Sequence, residues 1–406
     1  MLSASNFFKK KIKEFKIKNL TPVESVKALR GQVLNYLKFI LVTAKSEDDA
    51  YTIFETLNAR GLSLTSVDLI KNWIFKNYDQ THPHDNAKEI WGDLRKSVSR
   101  FSDLETFFRH YWNSKYAFAS DDRLYKSFKD FVKKGVISDA KTFLLELKEA
   151  AAFYRKIGAP NETDWTVQKE RVIKRSFDLL NQYRVTQVRP FLLALLECRQ
   201  RKLVDQTTFI NTVTSLENFH FIFSNICQDR ASGLEGKYTR AAKNLHLAGA
   251  DKVKVKTVIA DLISYLEKKR PNAQRIGDAL AELRFTSTDD VSKKAIQTVF
   301  AKIELSMHGT KEFAIGSFSL EHILDQSSKV AWVGSLGNLI PLDEEVNNKI
   351  KDGLTFKQKK SHYKKSNLKI VAEFVRLNAQ DIWDKPHATK WAQQLAAMLD
   401  AATKLK

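Results

Sequence analysis

Cysteine is almost absent: Cys198 and Cys227 are the only two in 406 residues, and each falls within an apolar helical pattern. Two thiols cannot build a four-cysteine zinc site. Their setting predicts buried free thiols in a reducing compartment, with neither a disulfide nor a metal centre. Glycine and proline are scarce too, at 14 and 7, so few residues are available to punctuate turns. Apolar residues recur at three- and four-residue spacing, and helix is therefore expected to dominate. No apolar run approaches the ~18 residues that a membrane-spanning helix needs. The Met-Leu-Ser-Ala-Ser-Asn start has no apolar core followed by a small-residue cleavage site. The expectation is a cytoplasmic, globular protein; a hydrophobic fraction of 43% is ordinary for one.

Acidic residues are also in short supply, 47 against 67 Lys and Arg, for a net charge of +20. A surplus of that size points to a polyanionic partner, because cations that neutralise phosphates release condensed counterions. Position sharpens the reading. Residues 349–369 hold eight lysines against one acid, Asp352, and a second cluster comprises Lys9, Lys10, Lys11, Lys13, Lys16 and Lys18. Each cluster reads either as a phosphate-contacting surface or as a solvated helix face.

The pattern divides the chain into three segments, 1–80, 81–308 and 309–406. In the first, Val23 to Val42 reads as an amphipathic helix and Glu47 to Leu57 as another, capped by Ser46. Gly61 breaks the pattern, and Ser66 is placed to cap a third helix running to about Asn77. His82-Pro-His-Asp85 reads as a loop. The second segment is helix after helix. The aromatic stretch Phe101 to Phe118 has helical spacing and belongs in a core. Gln187-Val-Arg-Pro-Phe-Leu-Leu-Ala-Leu-Leu196 is nearly all apolar with Pro190 in its first turn, and Leu216 to Cys227 is similar. Helical spacing gives way near His308-Gly309-Thr310 to a short extended run, Phe318-Ser-Leu-Glu.

That run leads into the chemistry. Glu321 and His322 precede a loop, Asn338 follows His322 by sixteen residues, and Asn347 comes nine later. This is the skeleton of the HNH, or His-Me finger, nucleases, in which a β-hairpin carries the His and a following helix carries a metal-ligating Asn. Phosphodiester hydrolysis needs an activated water, positive charge at the scissile phosphate and help for the leaving oxygen. An imidazole titrating near neutrality suits His322 to take the proton. A single hard ion, Mg2+ or Mn2+, would take oxygen from Glu321 and from the Asn347 amide. Neighbours on a strand point to opposite faces, so Glu321 and His322 reach one site only if the strand ends or bends there. Asn338 is assigned to the catalytic constellation as a brace: a loop amide that ties backbone groups and holds the His-bearing strand. Gly337 beside it suits an unusual backbone conformation. Lys349, Lys351, Lys359 and Lys360 are placed to contact flanking phosphates. His82, His84, His110, His220 and His246 have no acidic or Cys partner at metal-ligand spacing and read as structural. His362 reads as a surface residue, and His308 and His387 as loop residues.

Glu321-His-Ile-Leu-Asp-Gln326, Leu336-Gly-Asn-Leu339, Asn347, Phe356-x-x-Lys359 and Tyr363 together resemble the C-terminal HNH domain of the GmrSD-type restriction proteins. These are bacterial anti-phage enzymes, many of which cut DNA carrying modified bases. The resemblance implies His322 as general base, Asn347 as metal ligand and Glu321 as the acidic ligand. It departs at Asp325, where the family usually has Pro. A second stretch, Ala50-Tyr-Thr-Ile-Phe-Glu-Thr-Leu-Asn-Ala-Arg-Gly-Leu-Ser-Leu-Thr-Ser-Val-Asp-Leu-Ile-Lys-Asn72, resembles the end of the family's ParB-like N-terminal domain, which is linked to nucleotide hydrolysis. Asn58, Arg60 and Gly61 sit at its bend, where capping of helix ends is the alternative role. The family's upstream Asp-Gly-Gln-Gln-Arg motif is missing and no Walker A pattern replaces it. This implies an N-terminally truncated homologue, a fragment, or a partner chain that carries the rest.

The expected architecture is thus mainly α, a multi-helical body with a C-terminal ββα-metal nuclease domain acting on DNA, modified phage DNA included. Two alternatives stay open: a non-catalytic DNA-binding or regulatory subunit of a split restriction system, and an RNA-cleaving toxin.

Overall fold

The computed structural model describes residues 2–15, 20–38, 43, 65–78, 83–309 and 316–406. The expected helix Glu47 to Leu57 with its Ser46 cap, the bend residues Asn58, Arg60 and Gly61, and Lys16, Lys18 and His82 lie outside the described residues. The chain forms two compact units, Met1–Leu64 and Thr65–Lys406.

The first unit contains α1 (Leu2–Glu14) and α2 (Pro22–Tyr36). Lys9, Lys10, Lys11 and Lys13 stand exposed on α1. A capping box starts α2: the Thr21 hydroxyl accepts from the Glu24 N–H, the Glu24 carboxylate returns to the Thr21 N–H, and Pro22 opens the first turn. The helix ends at Tyr36, short of the expected Val42, because Leu37 is already extended.

Among the described residues, the second unit opens with ten helices around one apolar core. They are α3 (Ser66–Asn77), α4 (Pro83–Val98), α5 (Leu104–Lys115), α6 (Leu124–Lys133), α7 (Ala140–Gly158), α8 (Arg171–Gln182), α9 (Arg189–Gln200), α10 (Gln206–His220), α11 (Leu234–Leu247) and α12 (Lys252–Lys269). The cap of α3 is Thr65, one residue before the expected Ser66, because the returning carboxylate is Asp68 and a capping box spans three residues. This helix buries Val67, Ile70 and Ile74 in the main core, so the segment expected to end at 80 divides between the two units at residue 65. The expected loop at 82–85 is already helical from Pro83, where a proline suits a first turn.

Aromatic α5 is core: Phe107, Phe108, Tyr111 and Trp112 are buried, while Phe118 beyond its end is exposed. Helix α9 runs through the centre against α5, α7 and α11, with Pro190 in its first turn and Phe191 to Leu196 all buried. The expected free thiols are found: Cys198 and Cys227 are both buried and unbridged.

A second apolar cluster gathers the rest: α13 (Ala273–Ala281), α14 (Lys293–Met307), β1 (Phe318–His322), β2 (Leu339–Asp343), α15 (Glu344–Asn347), α16 (Phe356–Tyr363), α17 (Lys369–Leu377) and α18 (Lys385–Ala402). Ile276, Leu280, Phe300 and Ile303 of α13 and α14 pack in it with Leu339, Ile340, Phe374 and Trp391. The expected boundary at 308/309 therefore falls inside this cluster. The strands pair antiparallel with Glu321 opposite Ile340 and His322 opposite Leu339. Buried Glu304 ties α14 to the first turn of α17, accepting from the N–H groups of Lys369 (3.0 Å) and Ile370 (2.9 Å). Free N–H groups and the positive end of the helix dipole favour a carboxylate there. His308 closes α14 with Nε2 2.6 Å from Glu304, a structural contact. Among the described residues, no helix is long and apolar enough to cross a membrane.

Candidate active site

β1 ends at His322, so the alternation of the strand stops where the site begins. Leu320 and His322 face inward and are buried; Glu321 faces the other side and is partly exposed. The imidazole of His322 stacks on the Phe285 ring, 5.6 Å between centroids and 22° between planes. Its Nε2 lies 2.9 Å from the Phe285 carbonyl oxygen. A carbonyl can only accept, so Nε2 carries the proton and the neutral ring presents Nδ1 as its lone pair. Gln326 agrees with that tautomer. Its Oε1 accepts from the Ser287 N–H at 2.8 Å, which turns its NH2 toward Nδ1, at a long 3.4 Å. Burial lowers the pKa of His322 below the ordinary value of 6.5 and so favours the neutral, basic ring, with the Phe285 hydrogen bond opposing.

Phe285 and Gln326 were not assigned roles from the sequence. Gln326 closes the motif that carries the His, whereas Phe285 lies in the connection between α13 and α14, which had no motif to mark it. That connection is docked by Phe285 N–H to Gly334 O at 2.8 Å and by a β-bridge between Arg284 and Ser335. A Cβ on Gly334 would lie 2.8 Å from Thr286 Cγ2 and 3.1 Å from Phe285 O, so glycine permits the approach.

Asn338 is fully buried and uses its whole amide. Oδ1 accepts from Leu324 N–H (2.8 Å) and Trp383 Nε1–H (3.1 Å); Nδ2 donates to Leu324 O (2.9 Å) and Val333 O (2.7 Å). The loop after His322 is thereby tied to the segment before β2 and to the start of α18. Gly337 is glycine for a steric reason, correcting the expected conformational one: its φ is not positive, and a Cβ would stand 2.0 Å from the Ala388 carbonyl oxygen of α18.

Glu321 bonds Lys359, Nζ to Oε1 at 2.7 Å. The same ammonium bonds the Asp325 carboxylate and, at 2.8 Å, the His322 carbonyl. Burial raises the Glu321 pKa, with Lys359 opposing. Asn347 ends α15, and its Oδ1 is buried with no hydrogen-bond partner among the described residues. An orphaned amide oxygen is the kind of donor a hard cation takes. Among the described residues, no three His, Cys, Asp or Glu side chains gather as a metal group, so the Asn amide would be a necessary member.

The lysine row divides. Lys349 and Lys351 are exposed. Lys359 is 1% exposed and engaged at the carboxylates, so it is not available to phosphate as expected. Lys360 is withdrawn as well: its Nζ bonds Ala379 O (2.9 Å) and Gln380 O and sits 5.0 Å from the centre of the Phe356 ring. Helical periodicity turns both inward, which a count of lysines along the chain cannot reveal.

Two family models match the chain, and both describe restriction endonucleases. GmrSD restriction endonuclease, N-terminal domain, matches residues 1–75, and GmrSD restriction endonucleases, C-terminal domain, matches 273–398. Over these two segments the chain is similar to the GmrSD-type restriction endonucleases. The second match opens at Ala273, the first residue of α13, and takes in Phe285. A search of curated proteins found no match.

Proposed function

We propose that this protein is a metal-dependent DNA endonuclease of a phage-restriction system, with a ββα-metal site at the β1–β2 hairpin. The observation that carries the reading is the fixed tautomer of His322: the Phe285 carbonyl holds the proton on Nε2, so the Nδ1 lone pair, met only by a long 3.4 Å contact from Gln326, is the base. His322 Nδ1 accepts the proton of the attacking water. Glu321 and the Asn347 amide oxygen would hold one Mg2+ or Mn2+, which when bound supplies positive charge at the scissile phosphate and the leaving 3′ oxygen. Asn338 fixes the loop that follows the base. Lys349 and Lys351, exposed just beyond the Asn347 helix, contact flanking phosphates.

The test is cleavage of plasmid and phage DNA, unmodified and base-modified, by wild type and His322→Ala with Mg2+, Mn2+ or EDTA. Metal-dependent cutting that disappears in the variant is expected. Cutting by His322→Ala at the wild-type rate would overturn the assignment of the base, and metal-independent cutting would overturn the role of the ion. Cleavage of RNA in place of DNA would overturn the substrate.

A further inference from the structure

Lys359 is the residue for which the proposed reaction has no assigned task, and it is buried at the centre of the site. Its ammonium has three N–H donors and three acceptors: Glu321 Oε1 at 2.7 Å, the His322 carbonyl at 2.8 Å and an Asp325 carboxylate oxygen. A lysine this deeply buried requires such compensation. The arrangement leaves two ligand atoms unclaimed. Lys359 bonds only one oxygen of Glu321, and Asn347 Oδ1 has no partner among the described residues. Asp325 secures the far side, its second oxygen accepting from the Gly353 N–H at 2.7 Å in the turn before α16.

We infer that Lys359 is the positioning residue of the site. It fixes the rotamer of Glu321 and the end of the His322 strand, leaving the second Glu321 oxygen to an ion, while Asp325 anchors the ammonium. The inference rests on the metal-endonuclease reading and adds a residue that touches neither substrate nor ion. Outer partners of this kind orient ligands, and their loss weakens metal affinity by about 10- to 100-fold.

The experiment measures Mn2+ binding to the full chain by titration calorimetry and by the EPR signal of free Mn2+, in wild type, Lys359→Met and Asp325→Asn, with circular dichroism and melting as controls for folding. Lys359→Met is expected to bind Mn2+ about 10-fold or more weakly while folded, and Asp325→Asn to change affinity in the same direction by less. In cleavage assays at saturating DNA, the lost rate should return as Mn2+ is raised, which a merely unstable protein would not do. Unchanged Mn2+ affinity in folded Lys359→Met overturns the inference and leaves the nuclease reading intact. Tighter binding overturns it by making the ammonium a competitor of the ion. Should Lys359→Met not fold, unchanged affinity in Asp325→Asn overturns the inference. Wild type that binds no Mn2+ overturns this inference and the metal reading together.

Discussion

The Nε2 of His322 lies 2.9 Å from the carbonyl oxygen of Phe285, thirty-seven residues earlier in the chain. The proposed base is thus oriented by backbone from outside the hairpin, and its loss should be chemical before it is structural. His322→Ala is expected to lower the cleavage rate by at least ~100-fold. Leaving one carbonyl unpaired should destabilise the fold by only about 1–2 kcal/mol. Urea denaturation beside single-turnover cleavage separates the two, and a variant that is inactive because it is unfolded would contradict this account.

Asn338 should behave in the opposite way. Asn338→Ala leaves Leu324 N–H, Leu324 O, Val333 O and Trp383 Nε1–H without their partner in a buried setting. A loss of about 2–4 kcal/mol is expected. Mn2+ affinity measured on the fraction that remains folded should fall far less than it does for Asn347→Ala. Equal losses in the two variants would make Asn338 a ligand and not a brace.

The lysines can be separated by salt. Each phosphate contact contributes about 0.9 to the slope of log affinity against log salt on duplex DNA. Lys349→Ala with Lys351→Ala should therefore flatten that slope by about 2. Lys360→Ala should leave it unchanged, because its ammonium is held by the Ala379 and Gln380 carbonyls. A change of slope in Lys360→Ala would show that the side chain turns outward to meet DNA.

Acid should weaken the helical body through two histidines. Burial lowers His110, beside Tyr154, and His220, beside Tyr238, from 6.5 to about 3. Between those values the unfolded chain binds protons that the folded chain refuses, so stability is full above the unfolded pKa and falls as the pH drops through 6.5. Each residue contributes a slope of about 1.4 kcal/mol per pH unit in that window. Urea midpoints at pH 7, 6 and 5 for wild type and for His110→Gln with His220→Gln measure it. An equally steep decline in the double variant would place the acid sensitivity elsewhere.

The sequence was most informative where chemistry and local periodicity coincide. The Glu-His pair at a strand end, the polar Asn338 in an apolar stretch and the apolar run after Pro190 can each be read from a few neighbouring residues, and the structure places them at the hairpin, in the brace and at the centre of the body. What escaped depends on distant approach. Lys359 looks like its neighbours along the chain, yet one helical turn sets it beneath Glu321. Phe285 carries no distinctive side-chain chemistry, and its contribution is a carbonyl. Gly337 advertised conformational freedom, but α18 requires its missing side chain. Thr65 replaced Ser66 as the cap because the acid three residues on, and not the hydroxyl alone, sets the register.

Helix α18 also bears on how the protein is made. Its Ala388 carbonyl lies against Gly337, Trp391 donates to the Leu339 carbonyl at 3.3 Å, and Trp383 just before it holds Asn338. While the chain is still being translated, the hairpin emerges with His322 and Glu321 but without the wall behind them. A nascent chain halted before residue 383 would expose Leu339 and Ile340 to solvent and lack a braced site. The hairpin is therefore backed, and its brace completed, only once Trp383 and α18 have packed behind it.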